Sequence, residues 1–399
     1  MADALAALQS TIGDAHASAT ALRIVGAGSW LTAGRPVVAA QHVSTTHLTG
    51  IIEYVPGDLV LTAYAGTTLE EIAHVTSAHD QWLALDPYTS IDRSCRGTIG
   101  ATIATASQGP LALGYGRARD LILGLTVISG TGAVIRVGGR VVKNVAGFDL
   151  VRLATGAWGT LGVIAQVSLR LHARPLVDET FAVALPAASV RQEDALTQLV
   201  EQLNGTAMLP VTSSLAALVL LAHDSPAAVR RSQALPAGAV VLLARATGNR
   251  GRVDAQRNAL ATLGPVATVD PAVWRTVGAL DVGTFALRVT DAPLRTPTTC
   301  RRVDDWLSQR HASQVQCIIE PMRGAVRVCG TIEPGFDAHC VLPERAIAER
   351  LPADAWPAVP SAVDDHISQR LRTAFDPSRI LNPGILGDAP HAPLAPTST

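Results

Sequence analysis

Three glycine-rich stretches hold the residues best suited to cradle a phosphate-bearing ligand. The first is Val25-Gly26-Ala27-Gly28-Ser29-Trp30-Leu31, running on to Gly34. A strand-like run ends there in glycines, whose N–H groups can turn toward an anion with no Cβ in the way. A Rossmann fingerprint would need a third glycine at position 31 and a helix starting there. Leu31 stands at that position and Gly34-Arg35-Pro36 follows, so the loop is not of that type. Taken alone it also fits an ordinary β-turn. The second stretch is Arg96-Gly97-Thr98-Ile99-Gly100-Ala101 through Ala104, Thr105 and Gly109-Pro110, then Gly114-Tyr115-Gly116-Arg117-Ala118-Arg119-Asp120. Its small residues would let a flat ligand lie against the backbone, and Gly100–Thr105 can form a helical turn with its N-terminus toward phosphate. The third is Val142-Lys143-Asn144-Val145-Ala146-Gly147-Phe148-Asp149-Leu150, followed by Thr155-Gly156 and Gly159-Thr160-Leu161-Gly162-Val163-Ile164.

Lys143 carries extra information. It is the single lysine among 32 basic residues, the rest being arginine. Where a generic cation suffices, this chain uses Arg. The exception marks a position where a compact ammonium is required and a guanidinium fork would clash.

Other chemistries find little support. Cys95, Cys300, Cys317, Cys329 and Cys340 are scattered with no CxxC pair, which argues against an iron–sulfur cluster or a zinc site and fits a reducing compartment. His311, His339 and His366 stand apart, and the pairs His42/His47 and His74/His79 are spaced too widely to share a helix face. No metal site is expected.

The elements that must position the loops follow from composition and period. A chain of 399 residues, 48% hydrophobic and 16% charged, supports two or three domains with ample core. The net charge of −1 and the lack of a basic stripe exclude nucleic acid as a partner class. The longest apolar runs, 216–222 and 237–244, fall far short of the roughly 20 residues of a membrane span and read as buried strands. No N-terminal signal is evident; Leu5, Leu8 and Ile12 instead give a mildly amphipathic helical spacing.

Residues 1–175 are rich in short strand runs, at 22–25, 51–54, 60–65, 121–128 and 134–137. The run 163–171 alternates, with Val163, Ala165, Val167, Leu169 and Leu171 on one face. Thr68-Leu69-Glu70-Glu71 is a capping box that opens a helix. Residues 176–372 alternate helices (190–203, 252–263, 303–310) with strands (216–221, 240–244, 285–289) and a hairpin of 316–320 with 325–330. They read as a second α+β domain. Residues 373–388 return to the first domain, and 389–399 read as a mobile tail.

The order of the motifs resembles a known family. A GxGS loop, a TIGA…GP…GxxRD block, VKNVAGFDL with GxxGTLGVI, then RLHARP, is similar to the FAD-binding domain of the vanillyl-alcohol-oxidase (PCMH) type, over about residues 22 to 175 plus Leu381-Asn382-Pro383-Gly384. The resemblance implies an α+β fold, two α+β subdomains holding FAD and a second α+β cap domain. It implies that Gly26, Ala27, Gly28, Ser29, Trp30 and Leu31 hold the pyrophosphate. Thr98, Gly100, Ala101, Ala104, Thr105 and Gly109 would line the flavin and ribityl chain, Gly162, Val163 and Ile164 would offer backbone to the adenine end, and Asn382 would lie near the isoalloxazine. Lys143 would sit near the flavin or its phosphates, and Arg119-Asp120 would stabilise the layer structurally. Non-covalent FAD is implied: Trp30 replaces the tethering His of some relatives, and Cys95 is one residue out of register with a tethering Cys.

Within the family, the phrasing is most similar to the FAD-binding E-subunit family of bacterial glycolate oxidases. Ala27 and Trp30 depart from its usual Gly and Lys. That likeness implies oxidation of glycolate or a similar 2-hydroxyacid to the 2-oxoacid by hydride transfer to flavin, a second flavoprotein and an iron–sulfur subunit as partners, and a cytoplasmic location or one peripheral to the inner membrane through those partners. The histidine cluster that serves as metal site and base in complete 2-hydroxyacid dehydrogenases of this fold has no equivalent, so no catalytic residue is assigned. Arg288 and Arg323, on strands that could face the flavin, are the candidates for a substrate carboxylate. A stand-alone dehydrogenase and a non-catalytic flavin-binding scaffold remain the alternatives.

Overall fold

A computed structural model describes residues 2–88, 97–139, 149–205, 208–230, 235, 240–333 and 341–388. Lys143, Cys95, His339, Cys340 and the segment 389–399 lie outside the described residues, so the expectations attached to them go no further here.

Helix α1 (Ala2–Ala17) carries the predicted apolar stripe. Leu8, Ile12 and Ala15 bury against Leu22, Val43, Ile128, Ile380 and Leu381. Full burial of one such side chain is worth about 1.5–3 kcal/mol, which fixes the helix to the sheet beneath it. Strands β1 (Leu22–Val25) and β2 (Gln41–Ser44) pair in parallel, and the chain end returns to β1 through a parallel bridge from Leu22 to Leu381.

Next comes an antiparallel five-stranded sheet of β3 (Ile51–Val55), β4 (Val60–Tyr64), β6 (Ile122–Ile128), β7 (Val134–Gly138) and β8 (Val163–Arg170), in the order β3-β4-β8-β6-β7. The alternation predicted for 163–171 is what lets β8 sit at its centre: Val167, Leu169 and Leu171 bury in the core while Gln166 and Ser168 bond across the other face to Thr126 and Thr62. Helix α2 (Leu69–Ser77) starts where the capping box predicts, with Thr68 accepting from the Glu71 N–H at 3.1 Å. Helix α3 (Ile99–Ala104) is short, and its N-cap Thr98 accepts from the Ala101 N–H. Short strands β5 (Gln81–Trp82) and β9 (His172–Ala173) pair at the edge of this layer.

The second layer is one antiparallel sheet of eight strands: β10 (Val177–Leu185), β11 (Ala217–His223), β12 (Val240–Gly248), β13 (Val266–Val269), β14 (Phe285–Thr290), β15 (Ser313–Glu320), β16 (Ala325–Thr331) and β17 (Ala346–Arg350). Their spatial order is β13-β10-β12-β11-β15-β16-β14-β17. The predicted hairpin is β15–β16. One face carries Phe181, Leu220, Leu242, Leu287 and Val328 against the helices Glu193–Asn204, Arg250–Leu260 and Thr296–Gln309. The other face carries Val219, Leu221, Val241 and Leu243, and there Tyr88 of the first layer joins the core with Trp274. At the β14–β16–β17 end that same face turns polar, because Arg288, Arg327 and Glu349 alternate inward instead of apolar side chains.

Candidate functional site

A cleft of about 660 Å³, open to solvent, runs between β1, α3, the turn at 158–164 and the returning segment at 382–385. The chain makes it by leaving out side chains. A Cβ on Gly26 would stand 2.8 Å from Thr98 Oγ1, and one on Gly100 would stand 2.6 Å from the Ala65 Cβ. The β1 loop, α3 and β4 therefore approach as backbone on backbone, and the groove above them is walled by Gly28, Ala101, Ala104 and Gly159.

Hydrogen bonds that span the chain hold the rim. Asn382, at φ +44°, accepts from the Ile24 N–H at 2.8 Å and donates to the Trp158 carbonyl at 2.7 Å. Buried Arg372 donates to the Thr160 carbonyl at 2.5 Å and to the Leu381 carbonyl at 2.6 Å. Trp158 donates its N–H to the Ala104 carbonyl, and its ring meets Trp30 edge-on at 5.9 Å between centroids.

Of the residues singled out in sequence, the structure brings Gly26, Gly28, Ser29, Trp30, Leu31, Gly100, Ala101, Ala104, Thr105, Gly162, Val163, Ile164 and Asn382 to this cleft. Ala27, Thr98 and Gly109 do not line it. Thr98 lies behind the wall as the N-cap of α3, a role its buried hydroxyl fills completely. Gly109 packs its Cα against the carbonyl of Asp86. Asn382 lines the cleft, but its amide is committed at both ends to the protein, so it shapes the rim. Asp120 accepts from the Arg117 N–H at 2.9 Å, a local turn contact.

Arg288 and Arg323, the candidates for a substrate carboxylate, are both ion-paired in the protein. Arg288 Nε donates to Glu349 at 3.0 Å, and Arg323 donates to Glu320 at 2.5 Å. They belong to an ionic cluster on the inner face of the cap. Arg327 binds both Glu349 and Asp281, and Arg350 binds Asp281 at 2.6 Å. Burial works to raise Glu349, but Arg327 and Arg288 outweigh it and hold the carboxyl below its usual range. Arg327 stacks over the Tyr88 ring at 4.5 Å. Beside it, burial with Glu320 nearby pushes the Asp86 carboxyl up to about 7, against the Leu111 N–H that it accepts at 3.1 Å. Burial also pushes Glu320 up, with Arg323 opposing.

Two polar groups at the cleft have no partner. Ser29 Oγ and Arg23 Nη1 are buried without a hydrogen bond. A groove with small-residue walls and two spare donors fits a flat, anionic dinucleotide. No group of three or more His, Cys, Asp or Glu with metal-binding geometry occurs among the described residues. Sequence reading missed Arg23 and Trp158 at the cleft. Arg23 carried a usable signal, since β1 alternates and Leu22 and Ile24 are its core-facing residues.

The fold is that of the PCMH-type flavoproteins. Residues 2–138 match the family model for a FAD binding domain, and FAD is the cofactor of this chain. Over 96% of its length the chain superposes on p-cresol methylhydroxylase with substrate bound (87% of that chain, TM-score 0.68, 17% identity). In sequence it is similar to glycolate oxidase subunit GlcE of Escherichia coli (strain K12), 37% identical over 42% of this chain and 47% of the relative. It is also similar to D-2-hydroxyglutarate dehydrogenase of Xanthomonas citri pv. viticola, 31% identical over 46% of this chain and 38% of the relative. The matched stretch thus spans less than half the length of either relative. No helix of the described residues is long and apolar enough to cross a membrane.

Proposed function

We propose that this chain is the FAD-holding subunit of an oxidoreductase complex that converts glycolate or a similar 2-hydroxyacid to the 2-oxoacid. The carrying observation is the cleft itself, whose unpartnered donors and backbone walls suit FAD. The likeness to a glycolate oxidase subunit supports the substrate class. When bound, the flavin supplies the hydride acceptor. The chain's own residues bind and orient it: Ser29 and the Gly26–Leu31 loop on the phosphates, Ala101, Ala104 and Thr105 along the ring and ribityl chain, Gly162–Ile164 at the adenine end. In this reading residues 1–175, with 373–388, hold the cofactor, and 176–372 cover the site.

The division of labour follows from what the cap lacks. Arg288 and Arg323 each face a carboxylate, so neither offers an unpaired charge to a substrate acid. A second flavoprotein and an iron–sulfur subunit would complete the enzyme, in the cytoplasm or held to the inner membrane through those partners. The full chain loaded with FAD and assayed alone should reduce a dye with glycolate slowly, and its partners should raise the rate. Robust turnover of the isolated chain would overturn the subunit reading.

A further inference from the structure

We propose that Arg23 is the counter-ion of the cofactor's diphosphate, with Ser29 as its neutral companion donor; this deepens the FAD reading of the cleft and rests on it. Arg23 is 8% exposed and is the one charged residue lining the cleft among the described residues. Leu22 and Ile24 pack into the core with Ile12 and Leu381, so alternation along β1 turns Arg23 to the opposite face.

The other polar side chains of the cleft are committed. Thr105 donates to the Ala101 carbonyl at 2.8 Å, Thr45 to the Val25 carbonyl at 3.4 Å, and Asn382 spends its amide on Ile24 and Trp158. Burial pushes the pKa of the Arg23 guanidinium down, and no carboxylate of the described residues opposes it. Its neighbour across the β1–β2 pair is His42, which offers no negative charge.

An unpaired guanidinium out of water is costly, because its desolvation is not offset by attraction to an anion. The cluster around Arg327 shows how this chain treats such groups elsewhere, with a carboxylate for each. At Arg23 no described residue supplies the anion, and the cleft leaves a place for a bound one. The diphosphate of a dinucleotide supplies two negative charges and the oxygen pairs that a planar guanidinium grips two at a time. Ser29 adds a neutral donor on the same wall.

The test uses the full chain stripped of FAD, as wild type, Arg23→Lys and Arg23→Met. FAD affinity is read from quenching of flavin fluorescence at low and high salt, ADP and riboflavin serve as competitors, and thermal midpoints are taken with and without FAD. Arg23→Met should weaken FAD at least about tenfold, as expected for a lost charged hydrogen bond. It should flatten the salt dependence and abolish competition by ADP, leaving competition by riboflavin, which has no phosphate, unchanged. Arg23→Lys should fall between. The FAD-free midpoint of Arg23→Met should equal or exceed that of wild type, because a buried unpaired charge has gone. An unchanged FAD affinity in Arg23→Met overturns the proposal and leaves FAD binding standing. A FAD-free midpoint that drops as far as the loaded one makes Arg23 a structural cation and overturns it too. A wild-type chain that takes up no FAD overturns both.

Discussion

Among the described residues the buried Arg23 guanidinium meets no carboxylate and its Nη1 no hydrogen-bond partner, whereas at the far side of the chain Arg288, Arg327 and Arg350 share Asp281 and Glu349. Both places are out of water, and both use arginine. The difference is who supplies the anion. In the cap the protein supplies it, and the result is a rigid cross-link of β14, β16 and β17 in which the like-charged cross-strand pair Arg288–Arg327 is tolerated because Glu349 sits between them. In the cleft the protein leaves it out, and the result is a place for a ligand.

Breaking the cap cluster should have the largest effect. Arg327→Met leaves Glu349 with Arg288 alone and Asp281 with Arg350 alone and should cost about 3 kcal/mol, read as a lower urea midpoint with FAD absent. Asp86 tests the boundary between the regions through pH. Its folded pKa, raised to about 7, exceeds its unfolded value near 3.9, so the unfolded chain gives up that proton first. Wild-type stability should fall as pH rises from about 4 to about 7, by at most about 4 kcal/mol, and Asp86→Asn should remove that fall. Thermal midpoints at pH 5 and pH 8 check it. In the cleft, Gly100→Ala drives a Cβ against Ala65 and should cost about 1–3 kcal/mol while lowering FAD affinity, since the wall it moves is the cofactor's. Thr98→Ala removes the N-cap of α3 and should cost about 1 kcal/mol. A loss of FAD affinity from Thr98→Ala larger than from Gly100→Ala would blur the distinction between wall and lining.

Much of the cleft was legible in sequence because it is built from what local pattern reports. Glycines at 26, 28 and 100 and the alternation of β8 are short-range signals that land at the wall or just behind it, whereas Thr98, expected along the flavin, is instead the N-cap of α3. Long-range pairing was not legible. Nothing near residue 288 announces a carboxylate 61 residues away, so Glu349 could not be foreseen as its partner; Glu320, three residues before Arg323, is a local partner that the sequence did offer. Asn382 shows the same limit: its motif marks it as special, but only the contacts to Ile24 and Trp158 reveal that its amide is spent. Arg23 carried a local signal in the alternation of β1, but only its described surroundings show that no acid meets it.

Trp30 and Trp158, two of the six tryptophans, wall the cleft, so flavin seated there should quench them. The most direct measurement is a titration of FAD into the stripped full chain, following tryptophan emission together with the visible flavin bands, in wild type and in Trp30→Phe and Trp158→Phe. Saturation at one FAD per chain is predicted, with tryptophan quenching that shrinks in both variants while FAD is still taken up. FAD uptake with quenching unchanged in both variants would place the cofactor elsewhere and contradict the assignment of this cleft.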